Sequence, residues 1–434
     1  MADWKKIYDP CMNAKKAQAE LPPYDQALAR ILKCTAHTAA ESVGLKGALG
    51  QALAEPVIAD RDQPPFNRAT MDGFAISATI YKAGDWFRII GQLHAGQGEV
   101  GQLNAEAGVV RIATGAAVPS GFDAVVPIED AKVDTDHARV RFSRQHVEPD
   151  LFVHAQGADA KAEDELISRC TQLAAHHLGL AAAAGMNTLA VHKRPRVGIL
   201  TTGDEVVSAN TPTSQLQPQQ IRNANLHMLN ALVSAAGGEV VAAHHAPDDD
   251  VAINDLANKL MENCDVIITA GGVSVGERDL LPNLWSGLGY VPIVHGVLIK
   301  PGKPLYAAQP ADGEGALVLG LPGNPVSVLV TFHLFAWPIM RKMTRLGEDG
   351  YAQQLPWRRV WSCDQITCDN QRELFRAARF VGETRDQVEV LPWHGSGDLA
   401  HLSQADGLVR LPFTSDIIPA GSALPFLPLL GLTV

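Results

Sequence analysis

Cysteine is scarce in this chain. Six residues among 434 (Cys11, Cys34, Cys170, Cys264, Cys363 and Cys368) are scattered without the dense spacing of a disulfide framework or the CxxC pairs of a structural zinc site. Free thiols in a reducing compartment are the simplest expectation. Positive charge is also short, with 36 Lys and Arg against 47 Asp and Glu and a net charge of -11. That balance excludes the basic footprint of a nucleic-acid surface, although local lysines can still bind a small anion. Long hydrophobic runs are missing too. The greasiest stretch, Val326 to Met340, is interrupted by His333 and Pro338 and falls short of the roughly 20 residues that cross a bilayer. The opening residues, Met1-Ala2-Asp3-Trp4-Lys5-Lys6, lead into no apolar signal core. These absences predict a cytoplasmic protein with no nucleic-acid or membrane partner. Repeats and low-complexity tracts are absent as well, and a chain that is 46% hydrophobic and 19% charged has the mix of an ordinary globular protein.

What is present is concentrated between Arg196 and Met343, where three short apolar runs each empty into a loop suited to anions or metals. Val197 to Thr201 opens onto Thr202-Gly203-Asp204-Glu205. Asp265 to Thr269 opens onto Ala270-Gly271-Gly272-Val273-Ser274-Val275-Gly276-Glu277-Arg278-Asp279, and Ala316 to Leu319 onto Gly320-Leu321-Pro322-Gly323-Asn324-Pro325-Val326-Ser327. Runs of this length and composition, with helical patterns between them, predict buried parallel strands. Open sheets of that kind bind ligands beyond the carboxyl ends of their strands, so all three loops are expected to face one crevice.

The chemistry of each loop follows from its residues. Asn324 is a good N-cap, Pro325 suits the first helical position, and Val326 to Met343 carries an apolar pattern long enough for a helix whose positive end would favour a phosphate. Gly271 and Gly272 let the backbone approach a ligand, and Gly276 frees a turn that can present Glu277 and Asp279. Lys300 and Lys303 sit on a proline-stiffened loop, Lys300-Pro301-Gly302-Lys303-Pro304, as candidate anion clamps. Asp204, Glu205, Asp279 and one carboxylate of Asp248-Asp249-Asp250 are candidates to hold a metal beside a phosphate chain; helix capping or a solvated turn is the competing reading for each. The histidine pairs His176-His177 and His244-His245 lack the spacing of a helical zinc site.

A chain of this length has room for about three domains at roughly 150 residues each. Residues from Gln26 to about Lys33 recur apolar at helical spacing. Between about Val57 and Val147 the texture turns to short β runs (Phe87 to Ile90, Gly108 to Ile112, Ala124 to Ile128, Arg139 to Phe142), and Thr171 to Met186 then reads as a helix. His192 to Arg196 reads as a linker. Beyond Arg345 the candidate strands are Arg358 to Ser362, Val388 to Leu391 and Gly407 to Leu411.

The ordered motifs TGDE, GGVSVGERD, KPGKP and GLPGNPVS resemble the molybdopterin molybdenumtransferase family, called MoeA in bacteria and the E domain in gephyrin. Two upstream segments, Pro65 to Ala75 and Arg111 to Ala116, resemble the same family, so the likeness spans nearly the whole chain. It implies a multidomain α/β protein: a split linking domain at 1–57 and 148–193, an inserted β-domain at 58–147, a central doubly wound α/β molybdopterin-binding domain at 194–345, and a small C-terminal β-domain at 346–434. The implied activity is molybdenum insertion, in which adenylylated molybdopterin and molybdate give molybdenum cofactor with release of AMP and Mg2+ as the metal. The resemblance puts Asp279, Glu205 and Asp248 at the metal or at the attacking water. It gives the pterin and phosphates Gly271, Gly272, Ser274, Gly276, Pro322, Gly323, Asn324, Pro325 and Ser327, with Lys300, Lys303, Arg376 and Ser396 around them. Asp72 and Thr114 would act from the β-domain of a second subunit, so a homodimer is implied, and Asp159 would complete the catalytic set. Two positions depart from the family pattern. The run His154-Ala155-Gln156-Gly157-Ala158-Asp159 lacks the usual arginines, and Gly296 stands where a basic residue is common. Two other readings stay open, a noncatalytic pterin-binding or scaffold protein of this fold and a molybdopterin adenylyltransferase.

Overall fold

The computed structural model describes residues 21–97, 103–272, 280–346, 355–369, 371–392, 394–414 and 416–431. Its centre is a six-stranded sheet built from β1 (Arg196–Thr202), β2 (Glu239–Ala246), β3 (Val266–Ala270), β4 (Tyr290–His295), β5 (Tyr306–Pro310) and β6 (Leu317–Leu321), in the spatial order β2-β1-β3-β6-β5-β4. The first four neighbours pair in parallel, and β5 runs antiparallel to both β6 and β4. The doubly wound parallel core therefore ends in an antiparallel edge. Each apolar run is buried on both faces because alternate residues feed two cores. Val197, Ile199, Val266 and Ile268 pack with Leu229, Leu232 and Val233 of the helix Ala224–Ala235. Leu200 and Ile267 pack on the other side with Ile253, Ala257 and Leu260 of the helix Asp250–Asn263, and with Trp285. Helices on both faces explain why the strands read as continuous hydrophobic runs rather than as alternating ones. From β1 the chain moves outward to β2 and then returns across β1 to β3. This reversal opens a crevice beyond the carboxyl ends of β1 and β3.

Helix formation after β6 departs from the expected single helix. Pro325–Thr331 is helical, Phe332–Ala336 forms a π turn, and Trp337–Met343 resumes the helix with Pro338 in its first turn. Proline lacks an N–H and crowds the carbonyl four residues before it, and the wider π turn takes up that misfit.

The chain forms two further six-stranded sheets. One is formed within the inserted segment by Gly73–Ile76, Phe87–Leu93, Val109–Ile112, Ala124–Pro127, Ala131–Asp134 and Arg139–Phe142. The other joins Arg358–Ser362, Glu373–Val381, Gln387–Val390, Gly407–Leu411 and Ala423–Pro428 to the two-residue strand Ile299–Lys300, which pairs in parallel with Glu373 and Leu374. The chain before and after the inserted sheet is stitched together by Ala40–Gly44, antiparallel to Thr188–His192, over a core that includes Leu53, Val57, Ile167, Leu173 and Leu189.

The helix Tyr24–Lys33 packs against the central core. Tyr24, Ala27 and Ile31 are buried in the central core, with the Tyr24 ring edge-on to Phe335 and Phe375 at 5.5 and 5.4 Å. Arg410 of the C-terminal sheet holds this helix by bonding Asp25 at 2.7 Å and by standing over the Tyr24 ring at 5.0 Å; it also bonds the buried Glu373. Among the described residues no helix is long and apolar enough to cross a membrane.

Candidate active-site crevice

The loops at the carboxyl ends of β1, β2, β3 and β6 line one cavity of about 970 Å³. Its walls include Glu205 after β1, Asp248 after β2, Gly271 and Gly272 after β3, and Pro322 to Pro325 after β6. A second cleft, of about 830 Å³, lies at the opposite end of the strands among Cys34, Lys193, Arg196, Glu239 and Asp265. The first is the stronger candidate, because β-α units aim helix amino termini at the carboxyl side of the sheet.

Glycine conformation fixes the floor of the cavity. Gly271 and Gly272 have φ of +104° and +64°, and a Cβ on Gly271 would stand 2.8 Å from Thr202 Oγ1 and 2.9 Å from the Thr202 carbonyl oxygen. Only glycine lets these two loops touch. Gly323 lies across from them, its ideal Cβ position 3.5 Å from the Gly271 Cα, and its carbonyl accepts from Asn225 Nδ2 at 2.6 Å.

The acidic side is organised by hydrogen bonds. Asp249, not Asp248, caps the following helix by accepting from the Ala252 amide at 2.8 Å, which leaves the Asp248 carboxylate for the cavity. Asp204 Oδ1 accepts from the Asp248 amide at 3.0 Å. Burial, and then the charges of Asp204 and Glu205, push the Asp248 carboxyl above the ordinary carboxylate range. A cluster strained in this way suits a hard divalent cation. Asp279, Ser274 and Gly276 lie outside the described residues.

The remaining expected residues divide. Asn324 sits at the N-cap position, but its side chain makes no capping bond; its Nδ2 donates to Ser396 Oγ at 2.7 Å, and the Val326 amide donates to the Ser396 carbonyl at 3.1 Å. Ser396 is thereby brought to the crevice. Ser327 is buried in the first turn of the helix. Lys300 Nζ binds Asp369 Oδ2 at 3.1 Å, a partner not anticipated from the sequence, and the described cavity lining includes Pro304 but neither Lys300 nor Lys303. Arg376 lies apart: its Nη2 donates to the Leu391 carbonyl at 2.8 Å, and it lines a separate pocket of about 260 Å³ in the C-terminal sheet.

Asp72, Thr114 and Asp159 are outside the crevice lining of their own chain. Asp72 Oδ1 accepts from the Thr114 amide at 2.6 Å and from its hydroxyl at 2.8 Å, bonds that hold the carboxyl below its ordinary range. Asp159 Oδ1 lies 2.8 Å from His154 Nε2, so an imidazole stands where the family pattern has arginines. Gly296 has φ of +91°, and a Cβ there would meet Leu21 Cδ2 at 2.8 Å. The left-handed backbone there disfavours any residue with a Cβ.

Sequence reasoning passed over Thr202 and Asn225. Thr202 is 7% exposed, and its Oγ1 is buried at the cavity floor with no hydrogen-bond partner among the described residues. The Oδ1 of Asn225 is likewise buried and unserved. The strand-end threonine before Gly203 was the available signal for the first; nothing local marked the second.

Comparison with known proteins gives a consistent result. Residues 22–185 match the family described as the MoeA N-terminal region (domain I and II), and residues 198–342 match a probable molybdopterin binding domain. A molybdopterin molybdenumtransferase of Nostoc is 32% identical over 388 residues, covering 88% of this chain and 87% of that protein. Molybdopterin molybdenumtransferase 2 of Mycobacterium tuberculosis is 31% identical over 393 residues, covering 88% and 93%. The crystal structure of a molybdopterin biosynthesis MoeA protein from Pyrococcus horikoshii superposes with a TM-score of 0.79 at 27% identity, over 95% of this chain and all of that one.

Proposed function

The chain belongs to the molybdopterin molybdenumtransferase family, and from that premise we propose that it inserts molybdenum, converting adenylylated molybdopterin and molybdate to molybdenum cofactor with release of AMP. The observation that carries the reading is the convergence of four strand-end loops, two carboxylates and a proline-led helix on one cavity. The Gly271-Gly272 and Pro322 to Pro325 loops bring backbone close enough to bind the pterin phosphate, and Thr202 supplies a buried hydroxyl with no hydrogen-bond partner among the described residues. Lys300 and Lys303 draw the anionic substrates to the crevice rim; an anion arriving at Lys300 competes with Asp369.

Glu205, Asp248 and Asp279 would hold Mg2+, which supplies positive charge against the phosphate oxygens at the link to be cut. The carboxylates also orient the water, and the remaining work is positioning and charge neutralisation. Asp72 and Thr114 act from the β-domain of a second protomer, with Asp159 completing the catalytic set, in a homodimer that works in the cytoplasm. The low-lying Asp72 carboxyl, kept ionised by Thr114, is ready for that role across the physiological range.

The test is AMP release from adenylylated molybdopterin by purified protein, with and without molybdate, beside Asp279→Asn and Glu205→Gln. Release that needs molybdate and collapses in both variants is expected. Tight pterin binding with no release by the unaltered protein overturns the proposal.

A further inference from the structure

Outside the crevice lining, the C-terminal part of the chain brings two imidazoles and a carboxylate together. His394 Nδ1 lies 3.0 Å from Asp398 Oδ2, and His401 Nδ1 lies 2.6 Å from the same oxygen. The two rings are 4.5 Å apart, and the ligand atoms of all three residues lie within 4.8 Å of one another. No other group of three such side chains among the described residues does this.

Three features fit the trio to a metal. Asp398 divides its oxygens: Oδ1 accepts from the His401 amide at 3.4 Å, capping the short helix Leu399–Leu402, while Oδ2 is turned to both rings. This is the arrangement in which one carboxylate oxygen is oriented by backbone and the other is available as a ligand. Second, His401 Nδ1 is buried against Asp398 Oδ2, and the same oxygen is hydrogen-bonded to His394 Nδ1 at 3.0 Å, so the three candidate ligand atoms already converge on one point. A divalent cation bound there would take the place of the protons shared between the two rings and the carboxylate. Third, the three ligands come from one local stretch, so the site needs no second domain to assemble.

We propose that His394, Asp398 and His401 form a binding site for one divalent transition-metal ion of the zinc class, separate from the carboxylate site of the crevice. Two imidazole nitrogens and one carboxylate oxygen select such ions over Mg2+ and Ca2+, which prefer all-oxygen sites. Three protein ligands leave a further position for water. The ion has a structural consequence, because Ser396 lies between two of its ligands. Ser396 is the residue that receives the Asn324 side chain and the Val326 amide, so fixing 394–401 fixes the outer hold on the first turn of the crevice helix.

The test is calorimetric titration of the full chain, freed of metal by a chelator, with Zn2+ alone. One saturable site per chain is expected. Asp398→Asn and His401→Gln should each weaken it by more than the roughly 10–100-fold that loss of a ligand's supporting partner costs. His137→Gln, which removes another histidine beside a carboxylate, should leave it unchanged. His394→Gln, at a side chain 63% exposed, serves as the ligand variant if His401→Gln impairs folding. Absence of a saturable site, a site indifferent to these ligand substitutions, or equal affinity for Mg2+ would overturn the assignment. Amide exchange across 394–401 should slow on Zn2+ addition; unchanged exchange overturns the fixing role. None of these readouts depends on AMP release, so the metal site and the insertase reading fail separately.

Discussion

Asp204 accepts the backbone amide of Asp248 at 3.0 Å, joining the loop after β1 to the loop after β2 and setting one carboxylate beside another. The bond fixes the position of Asp248, while the Asp204 charge adds to burial in raising the pH at which Asp248 loses its proton. Asp204→Asn separates the two effects, since the amide oxygen can still accept the bond. With the negative charge gone, Asp248 ionises at lower pH. The acid limb of the pH profile of kcat/KM for AMP release is expected to move down in this variant.

Removing a carboxylate from the cavity should cost more than moving its titration. Glu205→Gln and Asp248→Asn are each expected to lower kcat by roughly 10²–10³-fold, the scale of losing one preorganised charge-stabilising group. Thermal stability should hardly change, because both side chains reach into a cavity rather than a packed core. Single-turnover AMP release and thermal melting check the two halves.

Restoring a basic residue at Gly296 should not improve the enzyme. Gly296→Lys forces a left-handed backbone on a residue with a Cβ and drives that Cβ toward Leu21. A loss of about 1–3 kcal/mol in urea unfolding is expected, with no gain in turnover.

His333 makes stability depend on pH. Its ring is fully buried, with Nδ1 donating to the Leu329 carbonyl at 2.8 Å and Nε2 accepting from the Leu430 amide at 3.0 Å. These bonds describe the neutral ring, and burial lowers the pKa from 6.5 to about 4. Above pH 6.5 neither folded nor unfolded chain carries this proton. Between 6.5 and about 4 the unfolded chain takes it up and the folded chain does not, so stability falls as the pH falls. The slope is at most about 1.4 kcal/mol per pH unit. His333→Gln should flatten that part of the curve in urea unfolding measured from pH 7 to 4.

Arg410 links three parts of the chain, bonding Glu373, Asp25 and the face of Tyr24. Arg410→Ala leaves the Glu373 carboxylate, 2% exposed, without that partner. Breaking one side of a buried pair costs about 3–5 kcal/mol. Adding Glu373→Gln should recover part of the loss, and a double-mutant cycle by denaturant unfolding measures it.

The strands β1, β3 and β6 were legible because they are buried on both faces, which makes them continuous apolar runs, and because glycine and proline mark the loops at their ends; the partly exposed β4 at the antiparallel edge offered no such run. The strand Glu373–Val381 was not, since Arg376 and Arg379 interrupt its alternation and are accommodated by bonds to Leu391 and Glu389 from the neighbouring chain segment. The π turn after Thr331 was hidden inside a convincing helical pattern. At Gly296 the sequence revealed a missing charge but not the dihedral angle that forbids one. His394, Asp398 and His401 escaped notice because, although spaced i, i+4 and i+7, they lie around a helix of only four residues, Leu399–Leu402, that no apolar pattern announces.

The strand Ile299–Lys300 belongs to the central chain but hydrogen-bonds within the C-terminal sheet. Chain synthesis therefore delivers Lys300 well before Asp369, Glu373 and Leu374, the residues that hold it. During translation the nascent central domain must wait for that later stretch before its lysine loop can be seated. A fragment cut after Met343 would lack both the sheet partner and the ionic partner of Lys300, so the seating of that lysine loop is a joint product of two regions that the sequence keeps apart.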